Sequence, residues 1–365
     1  LKKNCDILII GAGPAGVIAA AWAHKLGYSV IVADKGQFPR DKICGDLMPP
    51  MCMQLINELD KSFSAQQFDS ISVQQLFFRN ETDNYEVLLP PSVQCISSPR
   101  KTFDNALLSL LAPGITFLQQ ANLQAINCDL NHTVAHLQTA DGPVEISCNY
   151  LLGADGSNSK VKRLIFPSLN EHIEFAIAVR SYCEQKQEIS SADSFFTESA
   201  LPGYYWLFPS TNNTSNTGIL LPPNHSNTSL RNNLLREFIK SKNQLGAELS
   251  MSSWTVPTLI QQSDVAARGC FLIGDAAGLC EPIFAHGIDI AMLSAKNCIQ
   301  AIYNTRLLNN ATTAAGKVYS NFISSYMVPK FQQANHVKNS AMKTKFDLTL
   351  LYDTYVNTMI LNTDL

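Results

Sequence analysis

A thiol, a row of aromatic rings and one histidine stand out as side chains able to take part in chemistry. Cys44 lies two residues after Lys42 and directly before Gly45-Asp46. A thiol beside a cation can hold or release a proton or act in redox chemistry, although a free cysteine is as often a small buried residue. Tyr204, Trp206 and Phe208 alternate along one apolar run, so a strand would place all three on one face. That face suits a small apolar or aromatic substrate, and ordinary core packing is the competing reading. His286 stands just before an apolar helical stretch, where it could hydrogen-bond a substrate or shuttle a proton; it has no evident partner in sequence. Ser157 and Ser159 have no histidine–aspartate arrangement, so no hydrolase triad is read. The ten cysteines show no paired C-x-x-C pattern, and no metal is expected.

These side chains need a frame, and three glycine-bearing bends supply one. Each follows a short apolar run: Gly11-Ala12-Gly13-Pro14-Ala15-Gly16 after Ile7 to Ile10, Ala154-Asp155-Gly156 after Tyr150 to Gly153, and Gly274-Asp275-Ala276-Ala277-Gly278 after Cys270 to Ile273. In the first bend, Gly11 permits the tight turn, Gly13 lets the backbone approach a pyrophosphate, and Gly16 lets the next helix pack on the strand. That helix is expected from Pro14 to about Leu26, with Pro14 in the first turn, where a missing N–H costs least. Its free N–H groups and positive dipole end would face phosphate, with Ala15 among the first of them. A second strand, Tyr28 to Ala33, leads to Asp34 and Lys35. Asp34 stands 23 residues after Gly11, near the spacing at which an acid accepts hydrogen bonds from an adenosine ribose.

The first bend alone does not separate a nicotinamide from a flavin dinucleotide; the later two do. A third strand–turn–helix element near residue 275 fits the ribityl chain and second phosphate of FAD. Asp275 supplies the carboxylate, and Gly274, Ala276 and Gly278 permit close backbone approach. A helix from Gly287 to Ala301 would then point its N-terminus at the isoalloxazine ring. No second G-x-G-x-x-G appears mid-chain, so electrons would come from transiently docked NAD(P)H or from a redox protein.

The three bends resemble those of the p-hydroxybenzoate-hydroxylase-like flavoprotein superfamily; Leu152 to Arg163 is similar to its Asp-Gly motif, with Asp155 and Gly156. Within that superfamily, two stretches resemble the geranylgeranyl reductase family. Phe38-Pro39-Arg40-Asp41-Lys42-Ile43-Cys44-Gly45-Asp46 is similar to an R-x-K-x-C-G segment, and Tyr204 to Pro209 to a Y-x-W-x-F-P segment. Gly274 to Ser294 is similar to the family's G-D-A-A-G…P…G-I…A-M-x-S pattern, through Pro282, Gly287 and Ile288. Arg100, followed by Phe103-Asp104, resembles the arginine and helix start flanking the flavin. The resemblance implies FAD held by these residues, with Arg40, Cys44 and Gly45 close to it. It also implies hydride transfer from reduced flavin N5 to a carbon–carbon double bond of an isoprenoid or similar apolar substrate, with Cys44 in the proton route. One departure is Ala285, where the family has glycine, which adds a methyl near the flavin edge. An NAD(P)H-dependent aromatic hydroxylase and a flavin-dependent halogenase of the same superfamily are the alternatives. The halogenase W-x-W-x-I-P strand has only a partial echo at Tyr204 to Pro209.

The expected fold class is α/β: a Rossmann-type FAD-binding domain, a mainly antiparallel sheet as substrate domain, and a helical C-terminal tail. The chain has 365 residues, 46% hydrophobic and 16% charged, enough for a large core. The FAD-binding domain is assigned to 1–60, 96–164 and 261–310, the substrate domain to 61–95 and 165–260, and the tail to 311–365. Strands are read at Ser70 to Arg79 and Tyr85 to Leu89 around an Asn80–Asn84 turn, at Thr133 to Thr139, and at Val144 to Ser147. Turns are read at Asn212-Asn213 and Asn216, and an amphipathic helix over 228–241. The tail, including Phe346 to Tyr352, offers a lid, a dimer contact or a membrane-surface face, with a helix packed on the domain as the plainest reading. A net charge of −3 shows no basic face for nucleic acid. No run of about 18 apolar residues exists to span a bilayer. The chain starts at Leu1, read as a trimmed start, without a cleavable leader. A cytoplasmic protein, with peripheral membrane contact open, is the expectation. Oligomeric state and substrate identity are not legible.

Overall fold

The computed structural model describes residues 1–343 and 349, except 91, 92, 94, 129–131 and 226. Strand Lys2–Ile10 lies at the centre of an eight-stranded sheet, parallel to Val30–Ala33 on one side and to Gly142–Gly153 on the other. Ile7, Leu8, Ile9 and Ile10 are all buried, which is why this stretch reads as continuously apolar rather than alternating. Beyond these neighbours lie Thr116–Leu118 on one side and Cys270–Leu272 on the other, again parallel. The helix Pro14–Lys25 packs against the helix Ile288–Thr305. The small residues of the first helix, Ala15, Gly16, Ala19, Ala20 and Ala23, are buried there.

The three bends therefore leave the carboxyl ends of three parallel strands, 2–10, 142–153 and 270–272, which adjoin one another in the sheet. Ligands of open α/β sheets bind at such strand ends. The turn at Gly11 has φ +107, and a Cβ there would lie 2.3 Å from the Ala154 carbonyl oxygen. Adjacent bends are thus packed backbone to backbone, and only glycine fits.

A seven-stranded sheet forms the second layer, in the order Leu245–Leu259, Ile173–Gln185, Thr214–Leu221, Tyr204–Ser210, Ala192–Phe195, Gln75–Arg79, Asn84–Leu88. Its pairs are antiparallel except for 192–195 with 75–79. Asn212 and Asn213, both at positive φ, make the turn between 204–210 and 214–221, a backbone region that asparagine tolerates better than most residues. The helix Thr228–Ser241 matches the predicted amphipathic span and is capped by the Asn227 side chain.

Three expectations need correction. Ser70 to Arg79 is not one strand: Ile71–Val73 joins a three-stranded sheet with Cys95–Ser97 and Leu47–Met48, while Gln75–Arg79 enters the large antiparallel sheet. Val144 to Ser147 and Tyr150 to Gly153 are one twelve-residue strand, which pairs with the 133–139 hairpin arm early and with 270–272 late. Asn216 is not in a turn. It lies inside strand 214–221 and is fully buried, where its polarity is consumed by hydrogen bonds rather than by a bend.

The tail folds as helix Ala311–Phe322, a π turn Ile323–Met327 and helix Val328–Lys343. Buried Tyr319 donates to the Leu272 carbonyl at 2.9 Å, which ties the tail to the strand feeding the third bend. The Phe346 to Tyr352 stretch lies, Thr349 aside, outside the described residues. Among the described residues no helix is long and apolar enough to cross a membrane.

Candidate functional site

A cleft of about 590 Å³ runs over the strand ends. It is lined by Gly11, Gly13, Pro14, Ala15, Asp34, Lys35, Arg40, Arg100, Asp155, Gly156 and Asp275, all singled out in the sequence. Asp34 accepts from the Ala12 N–H and the Gly36 N–H, both at 2.7 Å. That fixes the carboxylate facing the cleft and leaves its remaining lone pairs for hydroxyl donors. Arg100 and Asp104 form a buried pair at 2.7 and 2.8 Å, with Arg40 3.3 Å from the same aspartate. Asp155 accepts from the Lys160 and Val161 N–H groups, while its Oδ1 has no partner among the described residues. Burial raises the Asp155 carboxyl above its ordinary range, against the pull of Ser159 and those N–H groups.

The cleft fits a dinucleotide on grounds internal to the fold. No side chain caps the first turn of helix 14–25, so its N–H groups face the cleft. Gly13 has an ordinary φ of −75, and a Cβ there would meet only the Arg40 guanidinium, at 3.6 Å. Among the described residues nothing requires glycine at that position, which leaves room there for a closely approaching ligand. Gly16 and Gly274 have packing roles instead. A Cβ on Gly16 would sit 1.9 Å from the Gly11 carbonyl oxygen, and Gly274, at φ +58, abuts Ala15 and Ala291.

A second, mostly apolar cavity of about 160 Å³ abuts the first, sharing Pro14, Lys42, Ile43, Arg100, Trp254, Asp275 and Ala291 with it. Its walls include Cys44, Gly45, Tyr204, Trp206, Phe208, His286, Gly287 and Ile288, as expected, together with Leu76, Phe78 and Phe284. Tyr204, Trp206 and Phe208 do share a face, within one buried cluster, while Tyr205 and Leu207 belong to the cluster behind the sheet. Gly218, paired with Trp206 across the strands, makes room for the indole: a Cβ there would lie 2.0 Å from the ring. The helix 288–305 begins at this seam, again with no side-chain cap.

Several side-chain expectations change in detail. The cation beside Cys44 is not Lys42, which pairs with Asp275 at 2.7 Å; it is Arg100, whose guanidinium interacts with the Cys44 side chain. Arg100 lies 56 residues after Cys44, so sequence proximity pointed to the wrong cation. The Tyr204 hydroxyl is committed to the Phe284 carbonyl at 2.6 Å, and burial raises its pKa. His286 is not without a partner. Its Nδ1 lies 2.9 Å from Asp289 Oδ1, while the buried Nε2 has no partner among the described residues. Burial opposes charge on this ring, but Asp289 and Glu281 together raise its pKa. Pro282 is buried beside the cavity rather than lining it, and its carbonyl accepts from Lys338 at 3.2 Å. Ala285 adopts φ +54, the left-handed backbone that a glycine would take without strain. Trp254, on both cavity walls, and the contacts that Tyr182, Arg180 and Asn216 make behind the Cys44 loop were not legible, because lone residues in strands carry no motif.

Comparison with known proteins decides the family. The profile of the FAD binding domain family matches residues 4–306. The chain belongs to that family. It is an FAD-dependent oxidoreductase of the geranylgeranyl-reductase-like kind. It is similar to a menaquinone reductase of Mycobacterium tuberculosis, 31% identical over 80% of this chain and 75% of the relative. It is also similar to digeranylgeranylglycerophospholipid reductase 1 of Methanococcoides burtonii, 26% identical over 80% of this chain and 72% of the relative. The fold is that of a geranylgeranyl bacteriochlorophyll reductase-like protein of Thermoplasma acidophilum, with a TM-score of 0.80 and 18% identity over 99% of this chain and 98% of the other.

Proposed function

We propose that this FAD-dependent oxidoreductase reduces a carbon–carbon double bond in a polyprenyl chain. The observation that carries the reading is the aromatic-walled cavity abutting the dinucleotide cleft, with which it shares a wall. Two similar proteins are named for a menaquinone and for a digeranylgeranyl lipid, molecules that have a polyprenyl chain in common.

Bound FAD, once reduced, supplies the hydride. The protein's residues bind, orient, exclude water and provide the proton. Gly13 and the uncapped first turn of helix 14–25 take the diphosphate, and Asp34 takes the adenosine ribose. Asp275, paired with Lys42 on the cleft wall, would accept hydrogen bonds from hydroxyls of the ribityl chain. Tyr204, Trp206, Phe208 and Phe78 hold the alkene in an apolar wall and keep water away from the reacting carbon. The Cys44 thiol gives its proton to the second alkene carbon, and the thiolate that remains lies beside the Arg100 guanidinium. His286, whose buried Nε2 has no partner among the described residues, also stands on the cavity wall and suits re-protonation of that thiolate.

The test is anaerobic incubation with a chemical reductant and a polyprenyl lipid, read by mass spectrometry. The product should gain two hydrogen atoms per reduced bond, and Cys44→Ser should lower turnover by about 100-fold, within the usual range for a proton donor. A product carrying a new hydroxyl, formed only in air, would overturn the reductase reading. Full turnover by Cys44→Ser would remove the cysteine's role.

A further inference from the structure

The loop carrying Cys44 is held from behind by a polar cluster that does not line either cavity. Asp46 is fully buried and adopts φ +64, a backbone state costly for a residue other than glycine and retained only where the surroundings impose it. Its Oδ2 accepts from the Tyr182 hydroxyl and from Asn216 Nδ2, the latter at 2.8 Å. Its carbonyl accepts from the Ser98 N–H, and its Oδ1 has no partner among the described residues. Asn216 is used on both sides of its amide. The second Nδ2 hydrogen goes to the Cys44 carbonyl at 2.8 Å, and Oδ1 accepts from Trp206 Nε1 at 2.8 Å. One buried amide therefore joins the Cys44 backbone, the Asp46 carboxylate and the Trp206 indole. At the loop's other end, Arg180 makes a two-pronged contact with Asp41 at 2.6 and 3.2 Å and reaches the Tyr182 hydroxyl.

We propose that Asp46, Asn216 and Tyr182 are positioning residues that clamp the Cys44 loop to the antiparallel sheet and set Cys44 and Trp206 side by side on the wall of the substrate cavity. The energetics favour a dedicated purpose. A buried carboxylate with one unsatisfied oxygen and a left-handed backbone is destabilising in itself. Burial pushes the Asp46 carboxyl up to about 6, against Tyr182, Arg180, Asn216 and Arg100, the groups that face it. A fold needing only a filled space here would be served better by apolar side chains. Instead, a polar hub ties the protic wall of the cavity to its aromatic wall, two walls on different layers of the molecule. A hub whose central amide uses both its donors and its acceptor, as Asn216 does, fixes the geometry of the groups it joins.

This inference concerns the cavity walls and holds whichever alkene is reduced, so its test avoids turnover. The FAD-loaded protein is treated with iodoacetamide, and alkylation of Cys44 is followed by peptide mass spectrometry. Cys5, also half-buried but in strand 2–10 of the eight-stranded sheet, with its thiol pushed up to about 12 by burial, serves as the slow internal reference. Asn216→Ala should raise the Cys44 rate about tenfold relative to Cys5 and shift tryptophan emission to the red. Tyr182→Phe, which removes one hydroxyl and keeps the ring, should raise it about threefold. Asp46→Asn retains an acceptor for both donors and should stay within about twofold of the natural protein. Should Asn216→Ala and Tyr182→Phe both leave the Cys44-to-Cys5 ratio and the emission unchanged, the clamp is wrong. An equal rise at Cys5 would signal general loosening and also overturn it, because the role claimed is local.

Discussion

Gly13 and Gly16 lie three residues apart in one motif, yet the structure gives them different work, and this leads to a prediction at the scale of single residues. A methyl on Gly16 collides with the Gly11 backbone, so Gly16→Ala should destabilise the protein even without FAD, by at least about 2 kcal/mol. A methyl on Gly13 enters the cleft and touches little protein. Gly13→Ala should leave the unfolding temperature of the apoprotein within about a degree while weakening FAD tenfold, about 1.4 kcal/mol. Thermal melts of the apoproteins and titrations with FAD separate the two effects. Asp46 supports a second prediction. Its carboxyl rises from 3.8 unfolded to about 6 folded, so the folded state binds this proton more tightly. The contribution is fully present below pH 3.8, is lost as pH rises to about 6, and is flat above that. The loss corresponds to about 3 kcal/mol. Asp46→Asn should remove that slope, which urea unfolding of both proteins from pH 3.5 to 7 would reveal.

At the scale of elements, the strand 270–272 and the third bend depend on the tail. Tyr319 is buried in helix 311–322, and its hydroxyl satisfies the Leu272 carbonyl two residues before Gly274. Tyr319→Phe keeps the ring and leaves that carbonyl without its donor, which should cost about 1–2 kcal/mol. FAD affinity should fall less than stability does, since no group on the cleft changes; denaturant melts and FAD titration measure both. The same contact explains why the tail reads as an ordinary packed helix in pattern but is part of the dinucleotide layer in fact. Its apolar spacing showed a buried face, whereas the strand it buries is about 40 residues away in sequence.

On the scale of the whole molecule, the shared wall between the cleft and the apolar cavity is where the parallel and antiparallel layers meet. A ligand lying along the cleft would meet residues of both layers, Gly13 and Arg100 from one and Trp254 from the other. FAD should therefore stabilise both together: at 100 times its dissociation constant, the gain is about 2.7 kcal/mol. With Trp22 in the first helix and Trp206 and Trp254 in the second layer, tryptophan emission and flavin release should report one coincident transition that moves up with FAD concentration. Two separated transitions would show that the layers unfold independently.

The amino-acid sequence by itself determined the strand–turn–helix frame, the residues that line the cleft over the strand ends, and the shared face of Tyr204, Trp206 and Phe208. Each depends on local spacing: a glycine where backbone must meet backbone, an acid one strand later, a period of two along a strand. Tertiary structure alone decided that Arg100 rather than Lys42 stands by Cys44, that His286 leans on Asp289, and that Asn216 is a buried hub instead of a turn. These are contacts between residues with no fixed separation along the chain. A side chain's partner is set by which elements fold together, and a buried amide in a strand looks, residue by residue, the same as one in a loop.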